Sequence, residues 1–152
     1  MTLTDLSKPI STLGGIGYFP FAPGTAGSLA GLLVIAFLKP SQPFHIGLSV
    51  FFVTIGIMSS AHAEELFGTK DPGCIVIDEF AGTIVSLLFL PQGWGYLISA
   101  FILFRFFDIT KPPPLRMIER NFKGGWAVMA DDIGAAIYAN LVLQAWRLLR
   151  LG

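Results

Sequence analysis

Charged side chains are scarce in this chain of 152 residues. They make up 13% of it, whereas an ordinary soluble domain carries roughly 25%. Hydrophobic residues reach 53%, and the mean hydropathy is +0.69. So few charges cannot cover a surface that faces water on all sides. The composition therefore predicts an integral membrane protein, and the alternative is an unusually apolar soluble helical bundle.

Cysteine and net charge are also lacking. The single cysteine, Cys74, excludes an internal disulfide and any metal site built from several cysteines, and we expect it to act as a small apolar residue. The formal net charge is zero, which removes the general electrostatic case for nucleic-acid binding. The polar start, 1–9, is followed by no long apolar run, so we expect no cleavable signal peptide.

Apolar segments separated by Gly, Pro and charged residues predict an all-α, multi-helical membrane protein with a single domain over 1–152. We expect an irregular tail at 1–12, a Gly/Pro-rich loop at 14–28 and a short surface helix at 115–120. The first apolar helix, even if counted from Thr25, rises only about 21 Å and falls short of the roughly 30 Å hydrocarbon core. The five predicted apolar helices are 29–38, 44–63, 75–90, 94–107 and 133–146.

If all five helices cross a membrane, successive connections alternate between its two sides. The side that carries more Lys and Arg is expected to be cytoplasmic. One side holds Lys8, Lys70, Lys111, Arg116, Arg120 and Lys123, and the other holds Lys39, Arg147 and Arg150.

Five carboxylates fall at helix ends on the side predicted to be cytoplasmic. Asp and Glu are rarely buried unless they are paired or bound to a metal. Oxygen ligands without clustered Cys or His favour Mg²⁺, Ca²⁺ or Mn²⁺ over Zn²⁺. The plainer alternative is that the acidic pairs only complement helix dipoles. We expect a Mg²⁺ site formed by Asp78, Glu79, Asp131 and Asp132, with Asp108 completing or orienting it.

Groups that suit a phosphate lie on the same side. Thr25 and Ser28 stand in a Gly-rich loop before a helix, where backbone N–H groups and hydroxyls can bind an anion or simply cap the helix. The loop is not a Walker A motif, because the Gly-Lys-Ser/Thr ending is missing. Arg105 and Lys111 flank Asp108, and an Arg there can clamp phosphate, pair with a carboxylate or extend toward lipid headgroups.

Carboxylates, an anion loop and cations at one membrane face predict phosphate-ester chemistry on a lipid headgroup. The expected catalytic residues are Asp78, Glu79, Asp108 and Asp132, and the nucleophile is either metal-bound water or a carboxylate. A rival interpretation is a transporter or channel in which carboxylates pass protons or cations, and it predicts acidic residues spread through the membrane depth. A second rival is a membrane scaffold that tolerates loss of every carboxylate.

Four blocks of sequence also match a known pattern. They are 14–28, 71–82, 104–112, and 121–125 together with 129–132, and they cover most of the chain in one order. On these blocks the chain resembles the phosphatidylglycerophosphatase A family of bacterial membrane phosphatases.

The resemblance implies a Mg²⁺-dependent phosphatase that converts phosphatidylglycerophosphate into phosphatidylglycerol and inorganic phosphate. It also implies an all-helical, multi-pass protein of the bacterial inner membrane whose active site faces the cytoplasm. The expected partner is the lipid substrate, with no nucleic acid and no obligate protein partner. Composition and spacing alone predict membrane, metal and phosphate, and only the resemblance supplies the substrate.

Overall fold

The computed structural model describes residues 3–69, 72–121 and 124–151, and the regular secondary structure of this part of the chain is all helix, with no strand. Lys70, Asp71, Phe122 and Lys123, which entered the charge count or the motif blocks, lie outside the described residues. The elements in order are α1 (Leu3–Ser11), a 3-10 helix (Leu13–Tyr18), α2 (Pro23–Leu38), α3 (Gln42–Phe67), α4 (Ile77–Ser86), α5 (Trp94–Thr110), α6 (Leu115–Asn121) and α7 (Gly125–Leu151).

The all-α fold class is confirmed, and the surface helix predicted at 115–120 is α6. The irregular tail is a wrong prediction for residues 3–11, which form α1. This helix packs on α3, where the Lys8 ammonium lies 4.7 Å from the ring centroid of Phe67. The carbonyl of Ser11 accepts a hydrogen bond from the N–H of Val76 at 2.9 Å. The end of α1 thus holds the segment that precedes α4 in place through this hydrogen bond.

Two helices begin six or more residues earlier than predicted. Helix α2 begins at Pro23, so residues 23–28 form its first turns and not a loop. Proline suits the first helical position because its missing N–H would have no helical partner there. Helix α7 begins at Gly125, which places Asp131 and Asp132 inside that helix and not at its start.

Helix α4 lies at the centre of the fold, in contact with α2, α3, α5 and α7. Its apolar residues Ile77 and Ile84 are fully buried. Helix α2 approaches so closely that a Cβ on Gly31 would lie 2.6 Å from the carbonyl oxygen of Phe80. Only glycine permits this backbone approach. The packing of α2 on α4 fixes the position of the first turn of α4.

Helix α4 is shorter than the predicted segment 75–90, because it ends at Ser86. Ten residues rise about 15 Å, half of a hydrocarbon core. The carbonyls at this break are bonded by α7: the Asn140 amide donates to Ser86 and Leu88 at 2.9 and 2.7 Å, and Arg147 donates to Phe89 at 3.1 Å. Irregular backbone at membrane depth is tolerated where the protein satisfies its polar groups in this way.

Replacing the side chain that bonds this break is expected to destabilise the fold. Asn140→Leu keeps the side-chain volume but removes the side-chain donor of the Ser86 carbonyl and leaves Leu88 only the longer bond from Gln144 at 3.4 Å, at a cost of about 1–3 kcal/mol. Thermal unfolding of the detergent-purified protein would show a lower midpoint. Asn121→Leu, at an exposed position of α6, is the control and should unfold like the parent. Equal midpoints for both variants would contradict this role of Asn140.

Two helices are long and apolar enough to cross a membrane, Gln42–Phe67 and Gly125–Arg150, and the shorter Pro23–Leu38 is also apolar. Large apolar side chains lie exposed along them, among them Phe37 at 80% and Leu149 at 79%. Exposed apolar surface of this kind suits lipid and not water. The fold is therefore that of a multi-helical membrane protein.

Candidate active site

The first turn of α4 carries two adjacent carboxylates. Asp78 is buried, with 7% of its surface exposed, and Glu79 is largely buried beside it. A helix N-terminus carries partial positive charge and favours carboxylates in its first turn. That charge alone does not explain two acidic side chains kept out of water, which need a positive partner.

Arg105 connects this turn to the end of α5. Its Nη1 lies 2.5 Å from Oδ2 of Asp108, three residues later on the same helix, and 3.8 Å from Oε1 of Glu79. Residues three apart share a helix face, so α5 presents the cation and the carboxylate together. The predicted proximity of Arg105 and Asp108 is confirmed by these distances.

Helix α7 supplies the opposite wall. Asp131 and Asp132 are buried and lie nearly two turns into α7, not at the start of a helix as predicted. Lys111 ends α5 in a left-handed backbone conformation, with φ of 42°, and its Nζ donates to Oδ2 of Asp131 at 2.5 Å. Each of the two cations therefore bonds a carboxylate of this site.

All five predicted carboxylates meet at one cavity of about 180 Å³. It lies at the end of the molecule where α4 and α7 begin and α5 ends, whereas the break after α4 lies at the other end. Sequence reasoning missed the residues that complete the lining, Gly73, Ile75 and Val128, since nothing in their type distinguishes them from packing residues. The cavity is lined by Gly73, Ile75, Asp78, Glu79, Asp108, Lys111, Val128, Asp131 and Asp132.

The carboxylates are spaced as ligands of a hard cation. One oxygen each of Asp78, Glu79 and Asp132 lie within 4.8 Å of one another, and so do those of Asp108, Asp131 and Asp132. Oxygen ligands stand 2.0–2.6 Å from Mg²⁺ or Ca²⁺, so ligands on opposite sides of one ion are roughly 4–5 Å apart. The residues present therefore fit such an ion.

The electrostatics of the site favour added positive charge. Around the cavity, five carboxylates face the two cations Arg105 and Lys111, which leaves an excess of negative charge. Among the described residues, Oε2 of Glu79 and Oδ2 of Asp132 are buried without a hydrogen-bond donor. Buried carboxylate oxygens without donors are costly, and a bound cation would remove that cost.

The first turn of α2 lies against the carboxylates. A Cβ on Gly24 would lie 2.1 Å from Oε1 of Glu79 and 3.3 Å from Nη1 of Arg105. Sequence reasoning missed this close approach, and its one signal was the glycine itself, which has no side chain to prevent it. Ser28 is fully buried, and its Oγ donates to the Gly24 carbonyl at 2.9 Å. Thr25 lies in the same turn and is partly exposed. The predicted phosphate contacts of Thr25 and Ser28 stay predictions.

Comparison with known proteins decides the family. The sequence profile of the family described as Phosphatidylglycerophosphatase A matches residues 9–147. The chain belongs to this family. Proteins named Phosphatidylglycerophosphatase A from Haemophilus influenzae and Escherichia coli are 36% and 35% identical to it over 157 and 133 residues. These matches cover 95% and 85% of this chain, and 94% and 76% of the relatives.

A third relative of the chain carries a different name. A protein of Bacteroides thetaiotaomicron whose provisional name is phosphatidylinositol-3-phosphatase is 40% identical over 147 residues, 91% of each chain. No solved structure matches the chain significantly. The resemblance read from the four sequence blocks is confirmed, and so is the prediction that the chain is a phosphatase enzyme. Family and apolar helices together identify a membrane protein that acts on lipid.

Proposed function

We propose that this phosphatidylglycerophosphatase A family member is a Mg²⁺-dependent phosphomonoester hydrolase. It removes the terminal phosphate of phosphatidylglycerophosphate and leaves phosphatidylglycerol. The observation that carries the proposal is the convergence of five carboxylates, Arg105 and Lys111 on one cavity at one end of an apolar helical protein. The proposal includes a single domain that crosses the bacterial inner membrane several times, with this cavity facing the cytoplasm.

The cation would be held by Asp78, Glu79, Asp131 and Asp132, with Asp108 beside them. Bound Mg²⁺ supplies positive charge to the phosphoryl oxygens and lowers the pKa of bound water. Oxygen-only ligands and a water-accessible cavity suit Mg²⁺, which keeps part of its coordination shell for water and phosphate.

The side chains of the cavity have three tasks in the reaction. Lys111 lines the cavity and Arg105 lies beside it, so both attract the doubly charged phosphate group and orient it. Thr25, in the first turn of α2, donates its hydroxyl to a phosphate oxygen. Ser28 holds this turn in place through its hydrogen bond to the Gly24 carbonyl. Glu79 accepts the proton of the attacking water, since its Oε2 has no hydrogen-bond donor among the described residues.

A transporter is less well supported than a phosphatase. Its carboxylates should be distributed along the helices through the depth of the membrane. Here the five predicted carboxylates share one cavity at one end, and the far end of the bundle around Asn140 and Arg147 holds polar side chains that bond a backbone break.

A second substrate is favoured by one observation, the name of the Bacteroides relative. Both candidate substrates are lipid phosphomonoesters, so the same cavity serves either. The test is phosphate release by the purified protein, with Mg²⁺, from equal mole fractions of phosphatidylglycerophosphate and phosphatidylinositol 3-phosphate in mixed micelles. We expect a higher kcat/KM for phosphatidylglycerophosphate, and a preference for the inositol lipid would replace the proposed substrate.

The close approach of α2 gives a further prediction about the cation. Gly24→Ala places a methyl group 2.1 Å from Oε1 of Glu79, which must then move away from the other carboxylates. Displacing a ligand by such a neighbour is expected to raise the Mg²⁺ concentration for half-maximal phosphate release about 10- to 100-fold. The measurement is the rate of phosphate release against Mg²⁺ concentration.

Gly31→Ala is the matched control on the same pair of helices. Gly31 lies two turns beyond Gly24 on α2, and the alanine methyl group meets the backbone carbonyl of Phe80 and the side chain of Thr83, not a carboxylate. It should lower the thermal unfolding midpoint without changing the Mg²⁺ dependence. If both variants lose stability and neither changes the Mg²⁺ dependence, Gly24 has a packing role only.

A further inference from the structure

The five carboxylates of the cavity form two triads that share one residue. Asp78, Glu79 and Asp132 form the first, and Asp108, Asp131 and Asp132 form the second. Within each triad one oxygen per residue lies within 4.8 Å of the others, which is the spread of ligands around one ion. Asp132 has two oxygens and can offer one to each triad.

We propose that the cavity holds two divalent cations, with Asp132 bridging them. The first position is formed with Asp78 and Glu79 of α4, and the second with Asp108 of α5 and Asp131 of α7. This inference rests on the proposed function for its place in catalysis, but the number of bound ions is a separate property that can be measured alone.

Asp132 supplies the observation that is independent of the clustering. It is 3% exposed, it lines the cavity, and its Oδ2 has no hydrogen-bond donor in the described part of the chain. Lys111 and Arg105 donate to Asp131 and Asp108 instead. The central carboxylate of the cluster therefore has a buried oxygen that no donor satisfies, and such an oxygen is stabilised by a bound cation.

The balance of charge favours two ions over one. Five ionised carboxylates against Arg105 and Lys111 leave three negative charges around about 180 Å³. A phosphomonoester adds roughly −1.5 to −2. One divalent cation leaves about three negative charges in the occupied cavity, and two leave about one. Two ions therefore allow a phosphate dianion to enter a site that would otherwise repel it.

The two positions should differ in affinity. Asp108 and Asp131 already bond Arg105 and Lys111, so a cation there must compete with a guanidinium and an ammonium. At the first position, Nη1 of Arg105 is 3.8 Å from Oε1 of Glu79, which is beyond hydrogen-bond distance, so the guanidinium competes less with a cation there. We expect the first ion to bind at Asp78, Glu79 and Asp132, and the second to bind more weakly at Asp108, Asp131 and Asp132.

The test is a Mn²⁺ titration of the metal-depleted, detergent-purified protein, with free Mn²⁺ followed by electron paramagnetic resonance. The expected result is two Mn²⁺ per chain in two affinity classes. Asp131→Asn should lose the weaker class and keep one tight ion. Glu65→Gln, an exposed carboxylate of α3 outside the cavity, should keep both ions.

One Mn²⁺ per chain in the parent protein would overturn the proposal, and so would two ions of unchanged affinity in Asp131→Asn. The parent stoichiometry decides the question even if the variant fails to fold. One ion with full phosphate release would refute the second position and leave the proposed function standing. Two ions without phosphate release from any lipid phosphomonoester would support the second position and overturn the proposed function.

Discussion

Asp132→Asn is expected to reduce phosphate release at least about 1,000-fold, because it removes charge from the carboxylate common to both triads. Asparagine keeps the shape of the side chain, so the buried position on α7 can still be filled. The measurement is phosphate release from phosphatidylglycerophosphate at saturating Mg²⁺, together with the yield of membrane-inserted, monodisperse protein. We expect normal insertion and an activity near background.

The control for Asp132→Asn removes a carboxylate from the same end of the protein. Glu65→Gln lies near the end of α3, is exposed and lines no part of the cavity. It should keep the parent rate within about twofold, since exposed charges contribute little. Full activity of Asp132→Asn would place the metal and the chemistry elsewhere.

Glu79→Gln is expected to lower kcat at least about 100-fold, the scale of a lost general base. The substitution leaves Arg105 bonded to Asp108 and removes both the carboxylate that faces the cavity and its capacity to accept a proton. Glutamine can still pack against Gly24, because the amide has the same outline as the carboxyl group.

The kinetic signature separates this role from simple loss of metal. If Glu79 takes the proton, kcat falls while high Mg²⁺ fails to restore the rate. A rate that recovers fully at high Mg²⁺ would make Glu79 a metal ligand only, and an unchanged kcat at ordinary Mg²⁺ would remove it from the site.

The meeting of the five carboxylates followed from the sequence by a topological argument. Helices that cross in alternate directions bring the start of α4, the end of α5 and the early part of α7 to one end, and the structure places Asp78, Asp108 and Asp132 together there. The order of the helices alone determines which helix ends share a side, so errors of several residues in the helix ends do not change which carboxylates meet.

Local detail was harder to predict, for identifiable reasons. The Gly/Pro-rich stretch at 23–28 looks like a loop, yet glycine there allows α2 to reach Glu79, and Pro23 occupies a helix start that needs no N–H donor. The apolar run continues to Leu90, but α4 ends at Ser86. The helix can end there because the side-chain amide of Asn140, 54 residues further along the chain, donates to the Ser86 carbonyl. Contacts so distant in sequence leave no local pattern.

The sequence also left open which carboxylates Arg105 and Lys111 would bond. Arg105 could have extended toward lipid headgroups, but its bond to Asp108 and its approach to Glu79 place it among the carboxylates. Lys111 reaches Asp131 because the chain turns at the end of α5 with a positive φ, a conformation that no residue type near it predicts.

Phosphate release from phosphatidylglycerophosphate by the purified protein, in Mg²⁺ and then in excess EDTA, tests the central claim most directly. We expect release in Mg²⁺, loss of release in EDTA, and recovery when Mg²⁺ is added back above the chelator concentration. Release that continues unchanged in EDTA, or no release in Mg²⁺, would contradict a divalent-cation centre built from these five carboxylates.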